Sequence, residues 1–174
     1  MATNKGKKFT LKDLDIKVDH INKQEKYFTN EEADEYISYF PRFSQTKKDK
    51  LFEELVSTST YVEEKKLGFL ENEFEVIQYV QFLIFKYFTS LHNELDGKSV
   101  ETHFETFYKL YDSGLLSEFL VNVFDQEEIS KVFDQFYDIL EIIPKLKTKE
   151  DEIRVQALQT VKNDEIRKKI IPEV

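Results

Sequence analysis

The chain has no cysteine and no tryptophan, and only three prolines and four glycines in 174 residues. Without Cys there can be no disulfide, no thiolate metal site and no Cys nucleophile, and the composition fits a reducing compartment. So few Gly and Pro residues cannot supply the many tight turns of an all-β sandwich or barrel of this length, which makes helices the expectation. Long apolar runs are missing too. The most apolar stretch, Val76 to Leu91, is interrupted by Gln78, Gln81 and Lys86 and is shorter than a bilayer span requires, so it reads as a core helix. The basic start, with Lys5, Lys7 and Lys8, runs into Phe9-Thr10-Leu11-Lys12-Asp13 instead of an apolar segment. No signal peptide is expected, and the protein is placed in the cytoplasm.

What is abundant is aromatic and acidic. Sixteen Phe and nine Tyr imply a core built from rings, and 174 residues suffice for one domain to bury it. The formal charge of −9 repels phosphate backbones and anionic lipid alike, so neither nucleic acid nor membrane is an expected partner. The Lys47-Lys48-Asp49-Lys50 cluster, with Glu53 and Glu54 behind it, reads as a solvated helix start.

Along the chain, residues 1–8 read as a disordered lead. Leu14, Ile16 and Val18 alternate with charged residues at period two, which suggests a short strand within 9–21. Residues 31–40 (EEADEYISYF) suggest a short helix ended by Pro41. Ser44 caps a helix to about Lys66, closed by Gly68, and Asn72 caps a helix over 73–92, stopped by Asp96-Gly97. Ser99 opens a helix over 99–112 with Val100, Phe104, Phe107, Tyr108 and Tyr111 as its stripe and Gly114 just beyond its end. A short helix is expected over Leu115 to Phe124. Asp125 with Glu128 reads as an Asp-led capping box for a helix over 125–143 that Pro144 ends. Residues 145–174 hold eight Lys or Arg, six Asp or Glu and no aromatic, consistent with a thinly amphipathic, weakly docked last helix. The fold class expected is all-α: an N-terminal arm over 1–38, a compact helical bundle over 39–144 and a charged C-terminal arm over 145–174. Val80, Ile84, Phe104, Phe107, Val132, Phe133 and Phe136 are the expected core.

Catalytic constellations do not emerge. His20, His92 and His103 share no metal-binding spacing, and a structural role is expected for each, with His103 at the edge of the aromatic stripe. The segment from His92 puts Gly97 where a calcium loop wants one, but its first and twelfth positions are His92 and His103 in place of carboxylates. No phosphate-binding glycine loop or nucleophile elbow occurs. The expectation is a non-enzymatic protein that needs no cofactor, metal or nucleotide. On a helical wheel of residues 73–92, Phe82 and Phe85 point away from the Val80/Ile84/Leu91 face, with Tyr79 between. A helix apolar nearly all round is either central to its bundle or carries a partner on its second face. Tyr79, Phe82 and Phe85 are therefore the candidate partner-binding residues, and self-association through them stays open.

Three stretches together carry a family resemblance. YFPRFSQTK at 39–47 leads into LFEEL at 51–55, YVQFLIFKYFTSL spans 79–91, and DSGLL at 112–116 runs on to FDQEEISKVFDQFYDIL at 124–140. Over about residues 39–140 this resembles the small acidic helical tail assembly chaperones of tailed phages and prophages of Gram-positive bacteria. The resemblance implies a cytoplasmic, non-enzymatic protein that keeps a long tape-measure protein soluble by covering its apolar helical segments while the tail tube forms. The alternative is an acidic helical adaptor that docks on a host or phage protein by charge complementarity.

Overall fold

The structure is a computed structural model and describes residues 8–141. The chain divides into two compact units, Met1–Val132 and Phe133–Val174. The fold is all-α apart from one short hairpin. All of the expected lead over 1–8 except Lys8, and the C-terminal arm over 145–174 with its last helix, lie outside the described residues.

Residues Leu11–Ile21 form α1, a helix where alternation suggested a strand. The same residues also place Leu11, Leu14, Val18 and Ile21 at helical spacing, and the cap decides between the two periods. Thr10 and Asp13 form a reciprocal capping box: the Thr10 hydroxyl accepts from Asp13 N–H, and the Asp13 carboxylate accepts from Thr10 N–H at 3.0 Å. None of the residues of α1 is buried.

Residues expected to be helical at 31–40 are instead a turn and a strand. β1 (Glu25–Asn30) pairs antiparallel with β2 (Glu35–Tyr39), Tyr27 opposite Ile37 and Phe28 opposite Tyr36. The connection is set locally: Asn30 Oδ1 accepts from Ala33 N–H at 3.2 Å, and Asp34 adopts a left-handed φ of 52°, which Asp tolerates better than most residues.

The other misjudged boundary explains how the hairpin is held. The sequence suggests one helix over 73–92, but α3 (Glu73–Phe88) ends at Thr89, which is extended. Thr89 bridges to Tyr39, Phe40 N–H donates to Phe88 O at 2.8 Å, and Ser90 N–H donates to Ser38 O at 2.7 Å. Pairing with β2 satisfies these backbone groups in place of the next helical turn. A short α4 (Leu91–Leu95) follows, then the turn at Gly97.

The remaining helices start where their caps are written. α2 (Gln45–Lys65) begins after Ser44, α3 after Asn72 and α5 (Val100–Asp112) after Ser99, each cap side chain accepting from the backbone N–H three residues on. Lys66, not Gly68, caps the end of α2 in a left-handed conformation. Gly114, with φ 75°, follows the Ser113 cap of α5 as expected. α6 (Leu115–Glu118) runs directly into a π-helical turn, Phe119–Val123. A helix over 126–141, α7, completes the described chain. Its capping box is not formed as expected. Asp125 caps Glu127 N–H at 2.9 Å, but the buried Glu128 carboxylate accepts from Phe43 N–H at 3.1 Å and from Lys131 at 2.8 Å. Arg42 reaches Asp125 at 3.0 Å, so the residues before α2 and the start of α7 are tied by charge.

Within the first unit, α3 is the central helix, buried over Tyr79, Val80 and every residue from Phe82 to Phe88. One group of rings joins the hairpin to it: Tyr27 and Tyr39 set their edges against Phe119, Phe85 meets the same ring, and Phe43 stacks on Phe88 at 3.7 Å. Val80, Ile84, Phe104, Phe107 and Val132 are buried as expected. In the second unit Phe136 is buried, whereas Phe133 is only partly covered and Tyr137 and Leu140 are exposed.

Candidate functional site

Tyr79, Phe82 and Phe85 are in the core, not on an open second face. Their exposures are 0%, 0% and 1%. Phe82 meets Phe107 at 5.7 Å and Tyr79 at 5.5 Å, and Phe85 meets Phe119 at 4.8 Å. The correction is physical: the hairpin and the π-helical turn cover one flank of α3, and α5 covers another. A helix apolar all round is here simply surrounded.

Tyr79 nonetheless leads to the surface. Its ring stacks on Phe104 at 5.1 Å, and Phe104 stacks in turn on Phe69 at 4.3 Å with the planes 17° apart. The ladder runs from the fully buried Tyr79 through Phe104, 4% exposed, to the half-buried Phe69. Phe69 sits in the irregular connection between α2 and α3, at the edge of a cleft of about 340 Å³ lined also by Leu70, Phe74, Phe107 and Tyr108. A second hollow of about 540 Å³, between the end of α2 and the other side of the same connection, is lined by Val62, Lys66 and Glu71 among others. Around the ladder several large apolar side chains stay in water: Phe74 is 67% exposed, Tyr111 53% and Tyr108 47%. Tyr108 and Tyr111 thus fall outside the buried stripe to which their spacing assigned them. Phe69, Leu70 and Phe74 were not singled out by the sequence pattern. The only signal for Phe74 was its place in the first turn of α3, away from the buried residues.

A polar cluster lies between α2, α3 and α5. Lys86 Nζ reaches both Glu54 oxygens at 2.7 and 2.6 Å, Tyr87 donates its hydroxyl to Glu54 at 2.7 Å, and His103 Nδ1 lies 3.1 Å from the same carboxylate. The other His103 nitrogen, Nε2, is 3.1 Å from Leu95 O, which fixes the ring in the structural role expected of it. Burial pushes the Glu54 carboxyl up, but the close His103 ring, the hydrogen bonds from Lys86 and Tyr87 and the Lys86 charge outweigh it and bring it down to about 2. Burial, with the bond to Glu54, pushes the Tyr87 phenol up. Acid, base and cation are together here, but with the Lys86 side chain 3% exposed and Glu54 15%, the charges are spent on one another. The arrangement locks three helices in register. His92 stacks on Tyr87 at 4.9 Å, and burial lowers its pKa.

Among the described residues no group of three or more His, Asp or Glu side chains could hold a metal ion, and no helix is long and apolar enough to cross a membrane. Fold and site together define an acidic all-α protein with an aromatic cleft at its surface. The chain belongs to the YomO family, which it matches over residues 11–170, a protein family of the Bacillus phage and prophage type. No curated protein and no solved structure matches it.

Proposed function

We propose that this phage-related protein is a non-enzymatic tail assembly chaperone that works in the host cytoplasm, holding apolar helical segments of the tape-measure protein in solution. The observation that carries the reading is the aromatic ladder ending in an open cleft with Phe74, Tyr108 and Tyr111 in water around it. Apolar side chains left in water gain their burial term on association, and interfaces concentrate energy in a few aromatic anchors. The cleft presents mostly rings and a leucine, with Glu75 and Gln78 as the polar side chains in its wall, which suits coverage of an apolar helix better than bond-making chemistry. Membership in a phage-type family supports the setting.

Co-expression with the tape-measure protein tests the reading: the long protein should become soluble and co-purify. A Phe74→Ser, Tyr108→Ser double variant should keep its melting temperature and lose that effect. A tape-measure protein that stays insoluble with the unmodified chain would sink the chaperone reading. Salt-sensitive binding to a host factor would then favour an acidic adaptor, in keeping with the net charge of −9.

A further inference from the structure

The outermost ring of the ladder belongs to the least regular part of the first unit. Between α2 and α3, Lys66, Gly68 and Leu70 take left-handed φ values of 54°, 68° and 58°. Glycine accepts that conformation freely, but a side chain like that of Leu70 rarely does. Gly68, Phe69 and Leu70 of this strained connection line both hollows, one shared with α2 and the other with α3 and α5, so a shift of Phe69 and Leu70 from one toward the other has room. Phe69 is also the one ring of the ladder carried by irregular chain, whereas Tyr79 and Phe104 are fixed on α3 and α5.

Charge adds a second constraint. On α5, Glu101, Glu105 and Asp112 recur at helical spacing beside the stripe of Phe104, Tyr108 and Tyr111, with Lys109 the basic residue among them. On α3, Glu73 stands in the first turn and Glu75 lines the cleft itself, its carboxylate accepting from Glu71 N–H at 2.9 Å and from Asn72 Nδ2 at 2.7 Å. A slot walled mostly by rings, with Glu75 in its wall and further carboxylates on the two helices that frame it, fits a helix with an apolar face and basic flanks.

We propose that Phe69 is a placeholder: a basic amphipathic helix docks in the cleft and seats one of its own aromatic side chains on Phe104, displacing Phe69 toward the neighbouring hollow. This rests on the chaperone reading for the idea that the natural occupant is a client helix, and it names that client's chemistry. Stacking on Phe104 is conserved in the exchange, since one ring replaces another, and the left-handed strain at Leu70 is free to relax as the connection shifts. Occupation by its own Phe69 keeps the slot covered until a better-matched ring arrives.

The chain has no tryptophan, so Phe69→Trp in the full-length protein gives a single indole at the site. The probe is a synthetic helix with Phe and Leu on one face and Lys on its flanks, with a scrambled peptide and a Glu-for-Lys peptide as controls. Binding should move the indole emission to the red and make it easier to quench, while both controls leave it unchanged. In calorimetric titration, Phe69→Ala should bind the basic helix about threefold to tenfold more tightly, because no stacked ring has to be displaced. Glu105→Lys with Asp112→Lys should weaken binding about tenfold in low salt and much less in high salt. A blue shift of the indole, weaker binding by Phe69→Ala, or equal binding of the scrambled peptide would overturn the proposal. The two readings separate cleanly: a tape-measure protein solubilised equally well by the charge-reversed variant leaves the chaperone role standing and removes the cleft as its site. Cleft-dependent peptide binding without solubilisation does the reverse.

Discussion

Replacing Glu54 by Gln keeps the volume of the side chain and deletes the charge that Lys86, Tyr87 and His103 all address. Lys86, 3% exposed, is left as a buried ammonium without its counter-charge. Removing one partner of a buried pair costs about 3 kcal/mol or more, since the remaining ion stays desolvated. The pKa gives an independent figure. A carboxyl held at about 2 in the fold, against an ordinary 4.5, contributes stability that is fully present above pH 4.5 and lost as pH falls through 2. The full conversion is about 3 kcal/mol, and the part of the carboxylate that still meets water trims it to roughly 2. Urea unfolding followed by far-ultraviolet circular dichroism at pH 7, 4 and 2.5 is the assay. Glu54→Gln should be less stable by about 3 kcal/mol at pH 7, and should lose less than the unmodified chain on going from pH 7 to 2.5. Adding Lys86→Met, which removes the stranded ammonium, should recover at least part of the loss. Equal stability of Glu54→Gln and the unmodified chain at pH 7, or parallel acid profiles for the two, would refute the clamp.

Two further outcomes follow from burial. Phe82→Ala and Phe85→Ala should each cost about 3–5 kcal/mol, and the double Ser variant should lose its cooperative melt, because both rings are enclosed; an intact melt in the double variant would show that they are dispensable. Deleting residues 1–22, which removes α1 whole, should leave the urea midpoint of the remainder nearly unchanged, within about 0.5 kcal/mol, since none of its side chains is buried; a large loss would mean that α1 packs on the core.

The starts of α2, α3 and α5 were legible, that of α1 was not, and what surrounds each helix was not. Ser44, Asn72, Ser99 and Gly114 mark boundaries because capping chemistry involves residues three or four apart, all visible in one short window. The break at Thr89 was hidden because its cause is fifty residues away, in the backbone of Tyr39. Glu128 looked like a local cap, yet its carboxylate goes to Phe43 N–H, another distant group that no spacing rule reaches. The same limit governs the site. Periodicity identified Tyr79, Phe82 and Phe85 as apolar on more than one face of α3, and packing alone decided that all three are interior. Phe69, the outer rung, sits in irregular chain where periodicity has nothing to say.

The short stitch between Tyr39 and Thr89 also changes what the edges of the hairpin can offer to another chain. A sheet edge offers a row of unpaired N–H and C=O groups on which an extended chain can add as another strand, whatever its sequence. Here the end of α3 occupies part of the β2 edge through Phe88, Thr89 and Ser90. The β1 edge carries Glu25 and Lys26 at its start and an irregular register between Phe28 and Asn30, which interrupts the flat template that strand addition requires. Any extended chain meeting this sheet finds little backbone to pair with. The two-stranded sheet is thereby a poor template for strand addition along both of its edges.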